Sequence, residues 1–166
     1  MRMIDERTVR FAAEIQLFIA DYWADVDRNR GQGAPQFYTE DCVLNVGSDK
    51  TFKGHAGIVD FYRYRAERGV RTTCHMTSNL QVWPHGEDRA RTCFVVTNYA
   101  SDGPPPITGL GGPSLVSRVE CDLVRSSEGR WSIKTLSAEP LFIGNEPYTV
   151  AVLVEGRHDD KVASDA

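Results

Sequence analysis

Apolar residues recur at helical spacing across residues 5–28, where Phe11, Ile15, Phe18, Tyr22 and Val26 form one stripe flanked by Ala12, Ile19 and Trp23. So broad a face predicts a helix covered by a sheet or by a second helix. Asp5 suits the N-cap, while Asn29, Gly31 and Gly33 end the element. Residues 34–40 predict a short helical turn. Cys42–Val46 and Lys50–Lys53, joined through Gly47, Ser48 and Asp49, predict a hairpin. Helical spacing returns over Gly54–Gly69 through Ile58, Phe61, Tyr62 and Arg65. Strand patterns follow at Arg71–Trp83, Arg89–Ser101, Ser114–Arg125 and Trp131–Ala138. The connectors 84–88 and 126–129 are short enough for hairpins, so the pattern predicts an α+β domain with an antiparallel, meandering sheet.

The strand at 71–83 has two unlike faces. Strict alternation sends Cys74, Met76, Leu80 and Val82 one way and Thr73, His75, Thr77, Asn79 and Gln81 the other. The polar row must meet water or line a polar cavity. If it lines a cavity, the apolar row needs cover, which predicts a homodimer or homotrimer packed through the outer sheet surface. The connection Asp102–Pro113 holds four prolines and four glycines. It is too long for a tight turn and suits a rim or flap, with Ile107 and Leu110 placed to cover a ligand.

Composition narrows the classes. The chain has 166 residues, 41% of them hydrophobic and 25% charged, enough for one well-filled domain, expected over residues 1–154. Residues 147–154 suit an oligomer arm, and the polar segment 155–166 suits a disordered tail. With 19 basic and 23 acidic residues the formal net charge is −4. Arg63, Arg65, Arg68 and Arg71 fit the solvated side of a helix better than a nucleic-acid patch. There is no apolar run of the roughly 20 residues a membrane span needs and no signal-peptide core, so the expected compartment is the cytoplasm. Cys42, Cys74, Cys93 and Cys121 are scattered singly, as reduced, buried residues would be.

Three residues stand out chemically. Tyr22 and Asp27 lie near the end of the first helix, and His75 lies in the polar row of a strand. Together a phenol, a carboxylate and an imidazole supply an acid, an orienting anion and a base. Each also has a plainer role. Tyr22 sits in an apolar stripe where core tyrosines are common, and a lone strand histidine is ordinarily structural or exposed. Asp27 near a helix C-terminus is disfavoured by about 0.3–1 kcal/mol unless a cation or donor compensates. His75 is one such partner; Arg28, Arg30 and solvent are others. No phosphate-cradling glycine loop, dinucleotide fingerprint, HExxH or GxSxG occurs, and the histidines are too dispersed for a metal site. Acid/base work with no cofactor and no metal is the expectation that remains.

The segments DYWADVDRN, FYTEDCVLNVG, FKGHAGIVDFY and HMTSNLQV, in that order, give residues 5–140 a resemblance to the nuclear transport factor 2-like superfamily, and within it to the SnoaL-like group. The resemblance implies a cone, with a strongly curved sheet wrapped around the long helix and a pocket open at one end. It is closest to scytalone dehydratase-like and bile-acid dehydratase-like members, which use a tyrosine, an aspartate five residues later and a histidine on a long strand. Tyr22, Asp27 and His75 match that pattern. Scytalone dehydratase-like members carry a second histidine where this chain has Asn98, which can bind a hydroxyl but cannot shuttle protons. What the resemblance implies is a lyase or isomerase, most simply a dehydratase, acting on a small, largely apolar ring compound. Trp23, Phe61, Asn98, Ile107 and Leu110 are the candidate substrate contacts. Ketosteroid isomerase-like and polyketide cyclase-like members share the cone with different acids and bases. A non-catalytic carrier, or a scaffold resembling the beta subunits of ring-hydroxylating dioxygenases, is the alternative.

Overall fold

The computed structural model describes residues 4–47, 50–67, 69–109 and 111–144. Helix α1 (Glu6–Arg28) leads through a 3₁₀ turn (Ala34–Phe37) into β1 (Tyr38–Val46) and β2 (Lys50–Lys53). Then come α2 (Gly54–Glu67), β3 (Arg71–His85), β4 (Arg89–Asp102), β5 (Leu115–Arg125) and β6 (Trp131–Ile143). Asp5 caps α1 by accepting the Thr8 amide at 2.8 Å, which satisfies one of the donors a helix start leaves open. Phe11, Ile15, Ile19, Tyr22 and Val26 are its buried residues, so the helical stripe is the face that meets the sheet. Ile58 and Tyr62 of α2 join the same core.

The six strands run in the order β2-β1-β6-β5-β4-β3, and the sheet does not close. Strands β3 to β6 form the antiparallel meander. The first and last strands depart from it, because β6 lands beside β1 and runs parallel to it. β6 also continues five residues past the predicted end at Ala138, to Ile143. Pro140, which has no amide proton to give, sits where the β5–β6 register shifts between Val116 and Ser117. At the end of the molecule away from the C-terminus of α1, Glu14 accepts from Arg125 at 3.0 Å and from Trp131 Nε1 at 2.9 Å. The Phe11 ring meets Trp131 edge-on at 4.9 Å, so α1 is clamped to β5 and β6 there.

β3 corrects the strict alternation. Its pairing with β4 slips between Ser78 and Gln81, where Asn79 and Leu80 oppose Phe94 alone, and Asn79 has φ 56°. This is a β-bulge, and one extra residue reverses the parity of everything after it. Thr73, His75 and Thr77 face inward before the bulge; Leu80 and Val82 face inward after it, with Val82 only 3% exposed, and Gln81 faces out. The outer apolar row therefore shrinks to Cys74 and Met76, joined by the half-exposed Trp83.

Two further expectations change. Arg71 belongs to β3 rather than to a solvated helix face, and its side chain is 6% exposed and paired with Asp102 at 2.6 Å. Cys42 and Cys121 are buried, but Cys74 is exposed because it sits on the outer side of β3. All four thiols are free. No helix among the described residues is long and apolar enough to cross a membrane. The expected arm at 147–154, the tail from 155, Leu110 and most of the 47–49 turn lie outside the described residues.

Candidate functional site

The last turns of α1 meet the first half of β3. Trp23 and Asp27 are one turn apart, so their side chains share a face. Both reach His75: the indole stacks on the imidazole at 4.3 Å and 10°, and Asp27 Oδ1 lies 2.6 Å from His75 Nδ1. β3 is an edge strand, so alternate amides on its outer side have no sheet partner. Asp27 fills that role, since its Oδ2 accepts the backbone N–H of His75 at 2.9 Å. Thr73, two residues earlier on the same face, donates its hydroxyl to Oδ1 at 2.7 Å.

Burial of the Asp27 carboxyl works against its charge. The His75 side chain, through its hydrogen bond and its charge, and then the His75 amide and the Thr73 hydroxyl, outweigh that penalty and hold the pKa below its ordinary 3.8. These donors also answer the helix-end penalty on a carboxylate. An ionised Asp27 is acceptor-only, so Nδ1 carries the proton and, in the neutral ring, Nε2 is the basic nitrogen. The His75 side chain is 6% exposed and lines the cavity.

That cavity measures about 80 Å³ and lies between α1, α2 and the inner faces of β1 and β3 to β6. Tyr22, Trp23, Phe61, Tyr62, His75 and Asn98 are on its wall, and most of the remainder is aliphatic. Asn98 faces His75 directly across the β3–β4 ladder. Ile107 is absent from the wall, so the expectation that it covers a ligand finds no contact here.

Tyr22 is 4% exposed and has two phenolic neighbours. Its hydroxyl lies 2.9 Å from that of Tyr38 and 2.5 Å from that of Tyr62. Burial, and then the neighbouring Tyr62, push the Tyr38 pKa well above 10, so this phenol keeps its proton. Gly31 makes the cluster possible: at φ 73° it packs so closely on the Tyr62 ring that an added Cβ would lie 2.1 Å from a ring carbon.

The structure thus brings Asp27, His75, Trp23, Phe61, Asn98 and Tyr22 to one place. Thr73, Tyr38 and Tyr62 are its additional members. Thr73 had a signal, being two residues from His75 in the polar row. Tyr62 had none, because a tyrosine in an apolar helical stripe looks like core. Among the described residues no group of three or more His, Cys, Asp and Glu side chains is placed to hold a metal ion.

A six-stranded unclosed sheet around a long helix, with a mostly apolar cavity at the helix end, defines a nuclear transport factor 2-like fold. The SnoaL-like domain family matches residues 7–137, and the chain belongs to it. No curated protein matches in sequence. Among solved structures, a proposed scytalone dehydratase from Novosphingobium aromaticivorans is similar with TM-score 0.74 and 16% identity, over 87% of this chain and 93% of that one. A hexachlorocyclohexane dehydrochlorinase of type 2 is similar with TM-score 0.68 and 17% identity, over 85% and 92%. A protein from Catenulispora acidiphila in complex with S-DNPA gives TM-score 0.69 and 20% identity, over 80% and 94%. At these identities the likeness is one of fold.

Proposed function

We propose that this chain is a cofactor-independent lyase that removes water from a compact, mostly apolar ring compound. The observation that carries the reading is the Asp27–His75 pair, 2.6 Å apart, with His75 on the wall of an apolar cavity and Asp27 behind it. His75 Nε2 takes a C–H proton next to a carbonyl or an aromatic ring, and the electron pair of that bond moves into a new C=C bond. The neighbouring C–O bond breaks, and its oxygen leaves with the bonding pair and the proton returned by the imidazolium, as water. Asp27 fixes the tautomer and steadies the cationic ring. Tyr22 polarises a substrate oxygen. A cavity of about 80 Å³ is well below the roughly 300–1,000 Å³ of drug-sized ligand sites, which favours a small substrate and movement of Phe61 for any larger one. The dehydratase and dehydrochlorinase names among similar folds support an elimination without naming this substrate.

His75→Ala should lower turnover of a substrate found by thermal-shift screening of small ring compounds by about 10²–10⁴-fold, with the circular dichroism spectrum unchanged. An unchanged rate removes His75 from the mechanism. Tight binding with no turnover by either protein supports the carrier reading instead.

We extend the proposal to assembly as a homodimer or homotrimer. Its support is narrower than the alternation implied, resting on Cys74, Met76 and Trp83 outside β3 and on the 70% exposed Phe142 of β6. A monomer by light scattering at micromolar concentration would remove it.

A further inference from the structure

Asn98 is 6% exposed and its Oδ1 is buried without a hydrogen-bond partner among the described residues. It lies on the wall of the cavity, directly opposite His75 in the β3–β4 register. Side chains at directly opposed positions on one face of a sheet have Cβ atoms about 4.5–5.5 Å apart. A ligand atom that meets the imidazole is therefore within reach of the amide. Buried acceptors are almost always paired, and an orphaned one is costly to the fold unless something else supplies its donor. The amide turns easily about χ2, a broad torsion, so it can present Oδ1 to the cavity.

We infer that Asn98 makes this site selective for ligands carrying an O–H or N–H donor beside the atom that meets His75. The inference rests on the cavity being the substrate site, as proposed above, and narrows its substrate class. The second orphaned polar atom on the wall, Trp23 Nε1, is a donor and accepts no such proton. Ethers, ketones and halides offer only acceptors, so they leave Asn98 Oδ1 unpaired. A hydroxyl satisfies it. Of the eliminations this fold hosts, loss of water suits the residue and loss of halide does not.

The test uses matched probes of one ring system, 2-indanol, 2-methoxyindane and 2-chloroindane, with affinities measured by calorimetry; in 2-indanol a benzylic C–H stands beside the carbon that carries the hydroxyl, as the proposed elimination requires. Wild-type protein should bind the alcohol about 10–100-fold tighter than the ether or the chloride, the range expected for one buried hydrogen bond made or lost. Asn98→Leu should bring the three within about 2-fold of one another and should raise the melting temperature, because it removes an unpaired buried polar group. Asn98→Asp, which keeps acceptor oxygens and has no donor when ionised, should retain the preference for the alcohol. Equal affinities in the wild type, absence of binding by all three, or a preference that survives Asn98→Leu each overturn the inference. Donor-dependent binding without any turnover would leave this inference standing and defeat the lyase reading, so the two fail separately.

Discussion

Asp27 collects three donors on two oxygens, and that crowding decides how the site answers to pH. Its folded pKa lies below the ordinary 3.8, so it contributes stability that is fully present above that value and is lost as pH falls through the folded one. Urea melts at a series of pH values should show Asp27→Asn losing stability less steeply than the wild type below about pH 4. Thr73 shares Oδ1 with the imidazole, and its hydroxyl is one of the groups lowering that pKa. In Thr73→Val the Asp27 carboxyl should titrate at higher pH by carbon-13 NMR, and Thr73→Ser should restore it. A titration curve unmoved by Thr73→Val would reduce the hydroxyl to a packing contact. At this scale the sequence shows residue types and strand parity, enough to bring Asp27 and His75 together. It does not show that Asp27 also closes the open edge of β3, because which strand lies at an edge depends on sheet order.

Elements carry the residues only if their junctions hold. Gly31, just past the end of α1, has φ 73° and abuts the Tyr62 ring, whereas Gly69, just past α2, has φ 91° and nothing within 4 Å of an added Cβ. Gly69→Ala should therefore cost only the backbone term, about 1–2 kcal/mol. Gly31→Ala must also displace Tyr62 from Tyr22, and we expect it to cost clearly more by denaturant unfolding. Equal losses would mean that the ring moves aside freely. Helix and strand positions were legible because periods of 3.6 and 2 are written in the apolar pattern, as with Phe11, Ile15, Tyr22 and Val26. The end of β6 was not, because Pro140 reads as a stop and continues only where the β5 register gives way. The parallel contact of β1 with β6 was equally hidden, since it joins segments about ninety residues apart.

At the scale of the molecule, the family and the α+β architecture were legible in four short segments taken in order, whereas the cavity was legible only through the polar row of β3. Ile107, placed over the cavity by loop composition, shows the limit of that reading, since glycines and prolines report a loop's backbone and not where it points. The bulge at Asn79 has a wider consequence. It divides one strand into two tenancies: the stretch before it holds Asp27 and brings His75 to the cavity wall, and the stretch after it packs Leu80 and Val82 against the core. Positions 73 and 75 are held by Asp27, and positions 80 and 82 by packing. Thr77→Val and Val82→Ala should accordingly change stability additively, within about 0.5 kcal/mol in a double-mutant cycle, as separated sites do. Deleting Asn79 would leave Leu80 alone opposite Phe94 and restore strict alternation, with Val82 still inward and Gln81 still outward, so the extra residue is a spare link between two stretches whose facing each is set by its own packing.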